Sequence, residues 1–166
     1  MFIESSAAVG GRIADRFGCR GTQFTPGGMP SYSIPFEIHD APKGTVSFAV
    51  IFDDYDAVPV SGFTWVHWLI ADLKRTSVKE NESISADDYV QGVNSWCSCA
   101  SDLSEEEATG YGGPYPPDGT HTYWLKVFAL DAELGLNNGF RLNDLMKGMD
   151  GHVLAYAKLL ATYSPK

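Results

Sequence analysis

Hydrophobic residues recur along this chain with the spacing of β-strands. Residues 46–52 alternate between two faces, with Val46, Phe48, Val50 and Phe52 on one of them, and a period of two predicts a strand. Residues 63–72 and 123–131 are rich in aromatic and β-branched side chains and are bounded by Gly, Pro or Asp, which predicts two more strands. Weaker strand patterns cover residues 12–17, 34–38 and 156–163. A sheet protein is therefore expected.

A single segment has helical spacing. Apolar residues recur from Leu145 to Leu154 at about the period of a helix, and Asn143 is the expected N-cap. Gly148 and Gly151 weaken this helix and suggest close packing against a sheet. Short strands with one late helix predict an all-β fold, a Greek-key sandwich of two antiparallel sheets with a short C-terminal helix. A chain of 166 residues is expected to form one domain over residues 1–166.

Residues 74–110 interrupt the strand pattern with a polar stretch that includes Glu105, Glu106 and Glu107. We interpret this stretch as a long surface excursion and not as a linker between domains. It is long for a structureless loop, so short elements or a contribution to a site are expected within it.

Charge and cysteine content narrow the function classes. The chain has 21 acidic and 12 basic residues and a net charge of −9, so its average field repels nucleic acid. No stretch approaches the ~20 apolar residues of a transmembrane helix and no secretion signal begins the chain, so a cytoplasmic protein without an integral membrane segment is expected. Three cysteines at irregular spacing favour free thiols, and no metal or other cofactor is expected.

Three segments carry polar groups at the ends of predicted core strands. Acidic residues follow strand 46–52, His67 lies among aromatic residues, and His121 and Tyr123 follow a loop rich in Gly and Pro. Each has an ordinary structural explanation, respectively a solvated turn, a hydrogen-bonded core histidine and a hairpin loop. If the strands are neighbours, however, these groups converge at one rim of the sheet, and that combination favours a binding site.

The sequence of this chain resembles that of a known protein family. Four motifs carry the resemblance in order: Asp54-Tyr55-Asp56-Ala57-Val58-Pro59, Trp65-Val66-His67-Trp68, Tyr111-Gly112-Gly113 through Pro116-Pro117 to His121-Thr122-Tyr123, and Gly151-His152-Val153-Leu154-Ala155. Their order and spacing are similar to those of the phosphatidylethanolamine-binding protein family, in particular its bacterial Raf kinase inhibitor-like members. The resemblance covers residues 34–163 and implies a two-sheet antiparallel fold with a C-terminal helix.

The resemblance also implies a pocket for a small anion at the sheet rim. The residues that it assigns to this pocket and its loop are Asp54, Asp56, Trp65, His67, Pro116, Pro117, His121 and Tyr123. Two departures from the family pattern bear on it. The acidic motif has Tyr55 in place of Pro and one extra residue before Pro59. Residues 92–97 read Gly-Val-Asn-Ser-Trp-Cys where many bacterial members read like Gly-x-Asn-Asp-Phe-Gly, so that an acidic group is lost at Ser95 and a bulky indole is added at Trp96.

The expected function is recognition of a phosphoryl or similar anionic group, without catalysis. Protonated His67 or His121 and the Tyr123 hydroxyl would donate to the anion, while Asp54 would orient a histidine or bind an ammonium group. Binding that weakens above the histidine pKa values would be the signature.

Two alternatives remain. Asp54, His67 and His121 are competent for a metal-assisted or acid–base hydrolase. Alternatively, residues 74–110 with Trp96 form a partner surface, as the family's kinase-binding members suggest, and a homodimer is also plausible.

Overall fold

The computed structural model describes residues 1–165, which form twelve β-strands, two α-helices and two 3₁₀ turns. The strands are β1 (Phe2–Glu4), β2 (Ala8–Val9), β3 (Arg12–Ile13), β4 (Phe36–His39), β5 (Ser47–Asp54), β6 (Trp65–Leu73), β7 (Ser77–Val78), β8 (Val90–Gln91), β9 (Cys97–Ser98), β10 (Ser101–Asp102), β11 (His121–Leu130) and β12 (Val153–Tyr163). The helices are α1 (Val58–Ser61) and α2 (Leu142–Met149), and the 3₁₀ turns are Asp15–Phe17 and Glu82–Ile84.

The strands form one large sheet, one small sheet and a hairpin. The large sheet has the order β2-β3-β12-β11-β5-β6-β8, the small one the order β1-β4-β7, and β9 pairs with β10. All pairs are antiparallel except β3 with β12, which meet in parallel at Arg12 and Thr162. The predicted all-β fold with a short C-terminal helix is confirmed.

The helix is present, but both of its predicted boundaries are wrong. Helix α2 begins at Leu142, because the Asp144 carboxylate accepts the backbone N–H of Arg141 at 3.0 Å and closes the first turn there. It ends at Met149, and Gly151 then adopts a positive φ of 80°, which leads the chain out of the helix. Leu154 therefore belongs to β12 and not to the helix.

The central strands are buried on both faces, which the alternating pattern of residues 46–52 did not predict. All eight residues of β5 are buried. On one face of the strand, Phe52 belongs to the hydrophobic cluster that joins the two sheets. On the opposite face, Ile51 belongs to a second cluster together with Leu145 and Met149 of α2. Two layers of apolar contact therefore hold β5 in place, and its last residue has a fixed position at the sheet edge.

Residues 74–110 contain four of the short strands, as expected for so long a segment. The interpretation as a surface excursion is wrong for part of it, because Tyr89, Val93, Asn94 and Ala108 are buried. The segment also contributes β8, which pairs with β6 and forms one edge of the large sheet. Among the described residues, no helix is long and apolar enough to cross a membrane.

Candidate ligand-binding pocket

The polar residues singled out in the sequence lie at one edge of the large sheet. Strand β5 ends at this edge, and its two antiparallel neighbours β6 and β11 begin there. Asp54 is paired in register with Trp65 on one side and with Tyr123 on the other. The convergence expected for neighbouring strands is therefore present.

A cavity of about 350 Å³ opens at this edge. Its lining consists of Asp54, Ala57, Val60, Ser61, Trp65, His67, Trp96, Ala100, Ser101, Tyr115, Pro116, Pro117, His121 and Tyr123. The structure thus brings together every residue that the resemblance assigned to the pocket except Asp56. The other lining residues were not assigned to this pocket from the sequence.

Asp56 holds the loop at the rim. Its carboxylate accepts the backbone N–H of Thr122 at 2.8 Å, and its own backbone N–H donates to the Asp54 carboxylate at 2.8 Å. These bonds fasten the turn after β5 to the start of β11. The extra residue in this turn is accommodated because Val58–Ser61 forms the short helix α1, with Pro59 in its first turn.

His121 lies between two carboxylates. Its Nδ1 is 2.7 Å from Oδ2 of Asp54, and its Nε2 is 2.9 Å from Oδ1 of Asp118. Ionised carboxylates only accept hydrogen bonds, so the imidazole satisfies both of them when both of its nitrogens carry protons. The arrangement therefore favours the imidazolium form of His121.

Electrostatics supports that protonation state. Burial disfavours the charged ring, but the hydrogen bonds to Asp54 and Asp118 outweigh burial and raise the pKa of His121. Burial also raises the pKa of Asp54, against the opposing effect of its hydrogen bond with His121. With both carboxylates ionised, the three side chains together carry one net negative charge.

His67 has the opposite state. It is buried, with 3% of its surface exposed, and its Nδ1 lies 2.6 Å from the carbonyl oxygen of Gly112. Burial lowers the pKa of His67 to about 4. Since the carbonyl only accepts, Nδ1 donates to it and Nε2 carries the lone pair of a neutral ring. The expectation of a protonated His67 as an anion donor is therefore wrong near neutral pH.

Two further lining residues have donors without a protein partner. The hydroxyl of Tyr123 and the indole Nε1 of Trp96 are buried and make no hydrogen bond to the described residues. Tyr123 is only 1% exposed, and burial raises the pKa of its hydroxyl far above the usual value, so this group stays a donor. Both residues line the cavity, and these two donors have no partner among the described residues.

Aromatic rings form one wall of the cavity. The Trp65 and Trp96 rings meet edge to face with centroids 5.9 Å apart, and Tyr115 lies 6.0 Å from Trp96. Asn94 accepts the backbone N–H of Trp96 at 2.9 Å, and Ser95 pairs with Val66 of β6 at 2.8 Å. These bonds place the segment before β9 against the sheet edge and direct Trp96 to the pocket.

Sequence reasoning related Trp96 to the pocket through the altered family motif at residues 92–97 and also to a partner surface, without assigning it to the site. The structure places it in the pocket lining. Asp118 was also missed, although its place three residues before His121 makes it a neighbour within the same turn.

A metal-binding arrangement is absent from residues 1–165, where no three His, Cys, Asp or Glu side chains converge in a suitable way. Asp118 and Asp54 occupy both nitrogens of His121, and Gly112 occupies Nδ1 of His67. The Asp54, His67 and His121 set is therefore not arranged to hold a metal ion.

Comparison with known proteins agrees with this architecture. A family model described as phosphatidylethanolamine-binding protein matches residues 4–164. YxkA of Bacillus subtilis is 41% identical over 132 residues, covering 77% of this chain and 79% of the relative. A UPF0098 protein of Methanothermobacter thermautotrophicus is 33% identical over 158 residues, covering 92% of this chain and 91% of the relative.

Solved structures show the same fold. CT736 of Chlamydia trachomatis, a homologue of phosphatidylethanolamine-binding protein, superposes with a TM-score of 0.79 at 27% identity, over 99% of this chain and 97% of that chain. YbcL of Escherichia coli superposes with a TM-score of 0.77 at 22% identity, over 99% of this chain and 98% of that chain. With the family model and the relatives in agreement over nearly the whole length, this chain belongs to the phosphatidylethanolamine-binding protein family.

Proposed function

We propose that the pocket binds a small phosphorylated molecule, whose phosphoryl oxygens meet the polar end of the cavity and whose organic part rests on the aromatic wall. The observation that carries this proposal is the pair of buried donors without partners, the Tyr123 hydroxyl and Trp96 Nε1, in a cavity that also contains His121. A buried donor left unpaired costs about 1–3 kcal/mol, which an oxygen-rich ligand would recover.

Charge supports the same ligand class. Among the lining residues, His121 is the side chain that carries positive charge near neutral pH, because His67 is neutral. The net negative charge of Asp54, His121 and Asp118 also suits a cationic group elsewhere on the ligand. A zwitterion such as phosphoethanolamine, whose ammonium group would pair with a carboxylate, fits this distribution and the family's name.

The proposal is binding without catalysis. Two serines line the cavity, Ser61 and Ser101. The Oγ of Ser61 donates to the carbonyl oxygens of Ala57 and Phe63 at 3.0 and 2.8 Å, and among the described residues neither serine hydroxyl bonds to a histidine or a carboxylate. An activated nucleophile instead has a base within hydrogen-bonding distance. A cytoplasmic location, a homodimer and a protein partner remain predictions.

The test removes one unpartnered hydroxyl. Tyr123→Phe deletes the donor without breaking a bond in the protein, so we expect a stability equal to or higher than that of the wild type. The affinity for phosphoethanolamine and inorganic phosphate should be weaker by about ten-fold or more. Tyr89→Phe is the matched control, since the Tyr89 hydroxyl is also buried and unpartnered but lies outside the pocket. Isothermal titration calorimetry measures both. Equal affinity of the two variants, or no binding by the wild type, would contradict the proposal.

A further inference from the structure

Asp118 bonds to His121, which lines the cavity, although Asp118 itself is not a lining residue, and the proposed function does not explain its position. His121 is held from inside by the buried Asp54 and from outside by Asp118, whose side chain is 64% exposed. The N–H that faces Asp118 is the donor of His121 that Asp54 does not occupy. It is therefore the donor that an anion entering the cavity would use.

The local chain leaves Asp118 free to move. It lies between Pro117, which lines the cavity, and Gly119, around which a side chain would meet no atom within 4 Å. Rotation of the Asp118 side chain into solvent displaces no packed neighbour. In contrast, Asp54 is buried in the sheet and bonds to the backbone of Asp56, so it stays with His121 when a ligand arrives.

We infer that Asp118 is an internal competitor for the ligand: its carboxylate occupies the Nε2–H of His121, and an anionic ligand binds by displacing it. This inference rests on the proposed anion-binding function and adds how the affinity of that site is set. In the empty protein, Asp118 takes the place of a ligand oxygen and keeps the imidazolium of His121 paired.

Asp118 and the ligand compete for the same donor of His121, but the Asp118 carboxylate is tethered to the chain whereas the ligand is free in solution. A group attached three residues away has an effective concentration at the donor in the millimolar range or higher, so it occupies the donor when no ligand is bound. The Asp118 side chain is 64% exposed although the imidazole of His121 is buried, so water solvates the carboxylate as soon as it is released. A ligand that also bonds to Tyr123 and Trp96 therefore displaces it. Competition of this strength lowers ligand affinity by about three- to ten-fold.

The experiment compares two substitutions at this position by calorimetry with inorganic phosphate and phosphoethanolamine. Asp118→Asn keeps a neutral acceptor near Nε2, and Asp118→Ala removes the acceptor. Competition predicts an order of affinity in which the wild type is weakest, Asp118→Asn is intermediate and Asp118→Ala is about three- to ten-fold tighter than the wild type. Asp87→Asn removes the same charge at an exposed site outside the pocket and should leave the affinity unchanged.

Asp54 remains beside His121 in every variant, and ¹⁵N NMR of the ring at about pH 6 establishes the protonation state of His121 in each of them. The titratable groups that interact with the ring are Asp54, Asp118 and His67. On phosphate addition to the wild type, the Asp118 side-chain carbon signal should shift as the carboxylate is released.

The outcomes separate the two proposals. Weaker binding by Asp118→Asn and Asp118→Ala would show a supporting role for Asp118 and overturn competition. Equal gains in both variants would show charge repulsion alone and also overturn it, as would unchanged affinities. If neither the wild type nor any variant binds phosphate or phosphoethanolamine, the proposed function itself fails.

Discussion

The two histidines of the pocket flank the same strand but hold different charge. His121 stands between two carboxylates, which favour its imidazolium, while His67 donates to the Gly112 carbonyl within a buried aromatic surrounding. The difference follows from the partner of each ring. The two carboxylates stabilise the positive charge of His121, whereas the single neutral carbonyl beside His67 does not compensate for the burial of a charged ring.

At the residue scale, His67 should make the fold sensitive to acid. Its pKa is lowered from 6.5 to about 4 by burial, so between these values the unfolded chain takes up a proton that the native protein does not. The free energy of unfolding should therefore fall by roughly 3 kcal/mol as the pH drops from about 6.5 to about 4.

Denaturant unfolding of the wild type and His67→Gln across this pH range measures the contribution. Glutamine retains an N–H donor for Gly112 but does not titrate, so the difference between the two curves isolates the histidine. Parallel curves would contradict the prediction. Histidine NMR should in addition show His67 titrating far below His121.

At the scale of elements, the pocket depends on the contact between strand β6 and the loop that precedes β11. Gly112 donates its N–H to the carbonyl of His67 at 2.8 Å and accepts from the ring of the same residue. A Cβ on Gly112 would lie 2.7 Å from Cδ1 of Trp96 and 2.8 Å from the sulfur of Met29. The absence of a side chain thus lets the loop, the strand and the Trp96 ring meet.

Gly112→Ala should consequently destabilise the protein by about 1–3 kcal/mol and shift the Trp96 ring, because overpacking forces neighbours from their positions. Gly119→Ala in the same loop is the control, since open space surrounds that position. Urea unfolding and tryptophan emission measure both effects. The same stability and emission for the two variants would show that the close approach at Gly112 is unimportant.

At the scale of the whole molecule, an apolar layer packs on each of the two faces of the large sheet. One layer joins it to the small sheet, and the other joins it to α2 through Leu145 and Met149. Because β5 contributes to both layers, loss of packing on either side weakens the strand that carries Asp54.

Leu145→Ala should therefore lower the free energy of unfolding by about 2–5 kcal/mol, the range for a large buried side chain cut back to alanine. Unfolding should remain one cooperative transition with the same midpoint by circular dichroism and tryptophan fluorescence. Two separated transitions would mean that α2 unfolds independently of the sheet, contrary to this view of the core.

The sequence by itself determined the all-β class, the positions of the long strands and the set of residues that meet at the rim. Those features follow from local pattern and from motif resemblance: alternating or dense apolar runs predict strands, and antiparallel neighbours bring the end of one to the start of the next. Seven of the eight assigned site residues line the cavity for this reason, while their role in binding stays a prediction.

The tertiary structure alone decided the chemistry of the site. Whether His67 or His121 carries charge depends on burial and on partners that are distant in sequence, such as Asp54 for His121 and Gly112 for His67. The end of α2 and the burial of the Trp96 indole nitrogen likewise depend on neighbours that only folding supplies. Local pattern specifies which faces are apolar, but protonation, hydrogen bonding and pocket shape arise from contacts between segments far apart in the chain.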